Sequence, residues 1–254
     1  MLFRSLFAAH QRYYQPGRKK VGIVMIHVGL VLLLVGQLLT DLLSTESLMH
    51  LRHGETKTYS ESSGRYELAV VDVSSPLSDQ VMAIPAHRLQ AEELLGSGEF
   101  PFGVRAVTYY PNSSMTESQA PGFAEIKTTA GFGSGLWWKS QPHETEMEKR
   151  DTPSAIVELK SAQGSLGTFL VSAYLMRPQT LEVGGRSYEI SLRPERYYKP
   201  YALHLLEFRH DKYPGTEIQK NFSSRVRLQR PATGEDREVL IFMNNPLRYE
   251  GETY

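Results

Sequence analysis

Residues 21–43 read VGIVMIHVGLVLLLVGQLLTDLL, and this stretch divides the chain. From Val21 to Leu39 it carries no formal charge. At about 1.5 Å of rise per helical residue, that run covers roughly 28 Å, close to the hydrocarbon thickness of a bilayer. The spacing predicts one membrane-spanning helix over 21–43, with a short head before it and a long polar body after it. A cleaved signal peptide is the alternative. Its apolar region normally runs about 7–15 residues and ends at a small-x-small site. TDLLSTES (Thr40–Ser47) offers no such site, so a retained anchor is the reading adopted.

On the N-terminal side, residues 1–20 hold Arg4, Arg12, Arg18, Lys19 and Lys20 and no acidic residue. Basic residues beside a span stay in the cytoplasm, so the N-terminus is expected inside and residues 44–254 outside. Leu2, Phe3, Leu6 and Phe7 recur at helical spacing, which suits a short helix lying on the inner membrane face. A frayed terminus fits as well.

Within the span, Gly22, Gly29 and Gly36 stand seven apart and line one face. Small residues on one face let a second helix approach closely. His27 lies about 160° around the helix from Gly29 and about 9 Å along the span. An ionisable side chain at that depth is costly and marks a functional position by default. A packing role, with the ring hydrogen-bonded to a neighbouring helix, fits the spacing equally.

The body is expected to be all-β. Tyr66, Leu68 and Val70 alternate with their neighbours; Val81–Pro85, Val104–Tyr110, Phe123–Thr128, Ala155–Leu159 and Thr168–Ser172 read as further strands. Thr180–Val183 and Arg186–Ser191 flank Gly184-Gly185, the signature of a primed hairpin turn. Tyr201–Phe208 alternates at Tyr201, Leu203 and Leu205, and Ser224–Gln229 pairs with Arg237–Phe242 across a turn. Met243-Asn244-Asn245-Pro246 then turns the chain into Leu247–Tyr254. Ala91–Leu95 is expected to form one helical turn, and Gly131–Pro153 an exposed excursion. Short strands at this spacing predict an antiparallel sandwich or barrel-like domain, tethered by one N-terminal transmembrane helix.

Composition narrows the function. Lys plus Arg equals Asp plus Glu at 28 each, which argues against a nucleic-acid partner. There is no cysteine, so the exported body relies on packing and supplies no thiol to metal or redox chemistry. No GxSxG, HExxH or phosphate-cradling glycine loop is present. Glu144, Glu146 and Glu148 sit in a charge run that reads as a solvated loop. His50 and His53, just beyond the span, and His204 and His210, flanking the Tyr201–Phe208 strand, read as surface or satisfied-core residues rather than ligands. Trp137-Trp138 reads as a pair packed under a loop or at a membrane-proximal surface, not as a ligand-stacking platform.

Three stretches resemble a known family. IHVGLVLLLVGQLLTDLLS (Ile26–Ser44) is similar to the span before the exported domain of the ResB family, also called CcsB or Ccs1-like, of cytochrome c biogenesis proteins. YPGTEIQKNFSSRVRL (Tyr213–Leu228) and REVLIFMNNPLRYEGETY (Arg237–Tyr254) resemble its late periplasmic strands, where Asn-Phe-Ser-Ser precedes a Met-Asn-x-Pro-Leu-Arg-Tyr turn. The resemblance implies a bacterial inner-membrane subunit that works with a multi-span CcsA/ResC-type partner to export haem b for attachment to apocytochrome c. It implies no catalysis by this chain alone, and it places His27 where the family has an axial haem ligand. A neutral imidazole is a suitable iron ligand. Family members usually carry further spans before and after these stretches, so a shortened or split version is expected. A tethered scaffold or binding module of another envelope complex is the competing reading. An anchored enzyme acting on envelope polymers is the weaker third, since no acid/base pair can be singled out.

Overall fold

A computed structural model describes residues 21–254 apart from 77, 91, 92, 97, 99, 147, 148 and 176. The expected surface helix at Leu2–Phe7 and the basic residues around it lie outside the described residues, as do Ala91 and Glu148. The chain divides into two compact units between Glu46 and Ser47.

The first unit holds one described helix, α1 (Val21–Leu43), with no buried residue anywhere along it. Leu33 is 73% exposed and Leu43 77%. A helix apolar on every side matches a hydrocarbon surround, in which a helix also satisfies all its own backbone groups. By length and composition α1 is a candidate single-pass anchor. The Thr40 hydroxyl donates to the Gly36 carbonyl at 3.0 Å, and the Ser44 N–H closes the last turn on the Thr40 carbonyl at 2.8 Å.

The second unit, Ser47–Tyr254, is built from strands. In chain order these are β1 (Ser47–Leu48), β2 (Thr56–Asp72), β3 (Gln80–Pro85), β4 (Leu94–Leu95), β5 (Phe102–Tyr110), β6 (Ser113–Thr116), β7 (Ala124–Glu125), β8 (Trp137–Ser140), β9 (Ser154–Ser161), β10 (Gly164–Ser172), β11 (Gln179–Val183), β12 (Arg186–Lys212), β13 (Gln219–Arg230), β14 (Glu235–Phe242), β15 (Arg248–Tyr249) and β16 (Glu252–Thr253). Their pairings are antiparallel. The largest sheet runs β1-β2-β12-β13-β14, with β3 also on β2 and β11 on β12. A second sheet runs β10-β9-β5-β4, and a third β6-β8-β7. The expected all-β architecture is therefore the one observed, as a curled antiparallel domain.

Strand β12 organises it. Its 27 residues carry bulges between Pro194 and Arg196, between Tyr198 and Leu203, and between Leu205 and Glu207. Each bulge adds twist, so one strand curls from one core into the next. The two strands expected at Arg186–Ser191 and Tyr201–Phe208 are thus parts of a single one. The hairpin into it is as expected: Val183 pairs with Arg186 across Gly184 (φ 61°) and Gly185 (φ 77°), the positive angles of a type I′ turn.

Three hydrophobic cores result. In the first, Leu68 and Val70 of β2 and Tyr188, Ile190 and Leu192 of β12 meet Phe102 and Val104 of β5, Val157 and Leu159 of β9, and Phe169 and Val171 of β10. That is a two-sheet sandwich. The opposite face of β9 and β10 presents Ile156 and Leu170, which pack with Ile126 and Trp138 in a second core. Burial on both faces explains why these strands read as apolar runs rather than alternations. It also corrects the expected excursion at Gly131–Pro153. Trp138 is 4% exposed and packs at a tilt against Tyr110 with ring centroids 4.5 Å apart, because the β6-β8-β7 sheet covers the outside of the sandwich. The expected helical turn at Ala91–Leu95 is also displaced: a 3-10 turn lies at Ala86–Gln90, burying Ala86 and Leu89, and Leu94–Leu95 is a strand.

The third core is small. Tyr201, Leu203 and Leu205 of β12 and Val226 and Leu228 of β13 enclose Leu247, with Met49 and Leu51 packed against them.

Candidate functional site

The ring of His27 is pinned to its own helix. Its Nδ1 lies 2.7 Å from the carbonyl oxygen of Ile23, one turn earlier. A carbonyl can only accept, so Nδ1 carries the proton and, in the neutral ring, Nε2 carries the lone pair. Metal-ligating histidines are commonly oriented this way, with the second nitrogen donating to a backbone carbonyl. An imidazole held in this way would be able to bind a metal through Nε2. Among the described residues no group of three or more His, Cys, Asp or Glu could hold a metal ion.

Gly22, Gly29 and Gly36 form a clear stripe. Among the described residues, a Cβ built at any of the three meets nothing within 4 Å beyond the helix's own neighbouring atoms. The described chain leaves the space beside all three open.

The other histidines do not converge. His50 and His53 are exposed on the segment entering the domain. His204 Nδ1 is 2.8 Å from the Thr56 hydroxyl across the β2–β12 ladder. His210 hydrogen-bonds Gln219 and stacks on Phe222 with centroids 4.6 Å apart. Of the acidic run, Glu146 pairs with Lys149 at 2.8 Å on the surface.

Two polar clusters escaped the sequence reading. In the first, His143 Nδ1 lies 2.6 Å from an Asp151 carboxylate oxygen, and the Glu144 N–H donates to the other at 2.8 Å. Burial pushes the Asp151 carboxyl up, but the Glu144 N–H and the His143 ring outweigh that and hold it below its ordinary range. Nearby, Ser113, Ser154 and Ser172 form a buried hydroxyl chain with links of 2.7 Å. These contacts fasten β6 and the loop after β8 to the sandwich.

The second cluster locks the C-terminus to the third core. The Tyr201 and Tyr254 hydroxyls donate to Glu252 Oε2 at 2.8 and 2.6 Å, and Lys199 pairs with the other carboxylate oxygen. Burial pushes the Tyr201 phenol up to about 12. It also raises Tyr254, where the Glu252 carboxylate adds to the effect. Glu252 itself is pushed up by burial, yet the Lys199 ammonium and the two phenols hold it below its ordinary value. Tyr201 and Glu252 are 51 residues apart, beyond the range of any local sequence pattern.

No protein-family model matches the chain. The chain is 23% identical over 231 residues to Protein NrfI of Wolinella succinogenes, an alignment covering 89% of this chain and 22% of that protein. The chain thus spans about a fifth of the length of the relative it matches.

Proposed function

We propose that this chain is a membrane-anchored subunit of a cytochrome c maturation system, with α1 in the bacterial inner membrane, the N-terminus in the cytoplasm and the β domain outside. The alignment to NrfI supports the coarse part of this reading. The stretches Ile26–Ser44, Tyr213–Leu228 and Arg237–Tyr254, with their ResB-like order and spacing, support the finer part.

The observation that carries the proposal is the orientation of His27. The Ile23 carbonyl holds Nδ1 as the proton-bearing nitrogen, so in the neutral ring Nε2 carries the electron pair. Haem is cargo in this reading, bound transiently and shared with a multi-span CcsA/ResC-type partner before attachment to apocytochrome c. His27 binds and orients it, the span excludes water, and the glycine stripe admits a partner helix. The β domain holds the partner or the apocytochrome. The chain makes no covalent bond by itself.

The test is the absorption spectrum of the full chain purified with its partner. A Soret band is expected that weakens in His27→Ala and recovers when imidazole is added to that variant. An unchanged band in His27→Ala removes the residue from the site.

A second reading follows from the same hydrogen bond. The Ile23 carbonyl satisfies the Nδ1–H in an apolar medium without iron, as a tethered scaffold would need. That reading requires haem-free preparations under every condition.

A further inference from the structure

Beyond Leu205 the long strand leaves its core behind. No described residue between Leu205 and Val226 is buried, although Lys212 still pairs with Gln219. The two strands form a projecting arm closed by a turn at Tyr213–Ile218. Large apolar side chains nonetheless collect there: Phe208, Tyr213, Ile218 and Phe222 are exposed, with Leu240, Phe242 and Met243 at the end of adjoining β14. Ile218 and Met243 are each 64% exposed.

The register places these groups on both faces. Leu205 pairs with Val226, Phe208 with Ser224 and His210 with Phe222, so Phe208 and Phe222 continue the face that is buried further up. The opposite face holds Glu207, Arg209 and Asp211 against Arg225, Ser223 and Asn221, with Leu240 beside Arg225 and Phe242 beside Ser223. A protein docking on one side would cover only half of this surface. A medium that surrounds the arm covers all of it.

The charges suit such a medium. Glu207 pairs with Arg209 and Arg225, and Lys212 with Glu217, so the acidic groups are largely neutralised. The exposed Lys220 stem can lie along apolar surface while its head reaches phosphate.

The foot of the arm is also where the anchor's chain enters the domain. The Gly54 N–H donates to the Leu205 carbonyl at 2.9 Å, and the Leu205 N–H to the Glu55 carbonyl at 3.0 Å. Met49 and Leu51 pack into the same core as Leu205. The arm from Leu205 to Tyr213 is about 27 Å long.

We propose that the tip of the β12–β13 arm, around Tyr213, Ile218, Phe208 and Phe222, enters the headgroup layer of the bilayer and gives the domain a second membrane contact. This rests on α1 crossing that bilayer and not on haem. The chain has no cysteine, so a single one reports cleanly. Ile218→Cys in the full chain is labelled with an environment-sensitive fluorophore and placed in phosphatidylcholine–phosphatidylglycerol nanodiscs that carry spin-labelled lipid. Gln163→Cys, on the exposed β9–β10 turn, is the reference.

The expected result is blue-shifted emission at Ile218 with quenching several-fold stronger than at Gln163, unchanged by His27→Ala. Equal quenching at the two positions overturns the proposal. So does a label at Ile218 that stays water-exposed until a protein partner is added, which would assign the arm to that partner. Loss of the Soret band in the haem experiment leaves this measurement intact, so the two proposals fail separately.

Discussion

Leu247→Ala tests whether the domain holds separable cores. Leu247 is 5% exposed among Tyr201, Leu203, Leu205, Val226 and Leu228. It also closes the C-terminal hairpin: its N–H donates to the Tyr254 carbonyl at 3.0 Å, and the Tyr254 N–H returns to Leu247 at 2.8 Å. Truncation to alanine loses about 2.4 kcal/mol of apolar transfer at about 0.8 per methylene. The residual cavity brings the expected cost to about 3 kcal/mol, within the range found for buried leucines. In the third core that corresponds to an opening constant raised about a hundredfold. The core around Leu68, Tyr188, Val104 and Val157 shares no buried side chain with it. Hydrogen exchange on the full chain should therefore show about hundredfold faster exchange at 201–205, 226–228 and 247–254, with 155–159 and 169–171 unchanged. A uniform acceleration would refute the reasoning, because it would mean that β12 transmits every opening and the domain unfolds as one unit. Unchanged exchange throughout would refute it as well, by denying Leu247 its packing role.

Two further outcomes follow from the polar contacts. Glu252 has its carboxyl held below the ordinary value of 4.5, so its contribution is present above that pH and is lost as pH falls through the lowered value. The C-terminal hairpin should loosen in acid, and Glu252→Gln should show weaker attachment near neutrality with a flatter acid response in near-UV circular dichroism. Arg193 meets Glu67 at 2.9 Å with the side chains only 13% and 6% exposed. Arg193→Met alone should cost about 3–5 kcal/mol in a denaturant melt, whereas the double variant with Glu67→Met should recover most of that loss.

The sequence by itself determined the features whose causes are local. An uncharged run of bilayer length makes α1 whatever follows it, and its glycine stripe and His27 are set by helical geometry alone. The Gly184-Gly185 turn and the alternation at Tyr201, Leu203 and Leu205 depend on backbone preference and on neighbours two residues away, so they too were legible. Hydrogen-bonding one ring nitrogen of His27 to Ile23 needs only a helical turn, yet the side-chain rotamer that makes it so appears only in three dimensions.

Tertiary structure alone decided what depends on register and sheet order. The chain from Arg186 to Lys212 reads as two strands because its bulges break the alternation, while the ladders to β2 and β13 hold it as one. Gly131–Pro153 reads as an exposed excursion, yet its residues 137–140 form a strand and Trp138 is buried, because β9 and β10 need cover on their second face. Lys199, Tyr201, Glu252 and Tyr254 meet through the fold of the third core, and Phe208 and Phe222 are left bare because β12 outruns that core. Local pattern sets which way a side chain points along its own strand; which strand lies opposite, or whether any does, is settled by the packing of the whole domain.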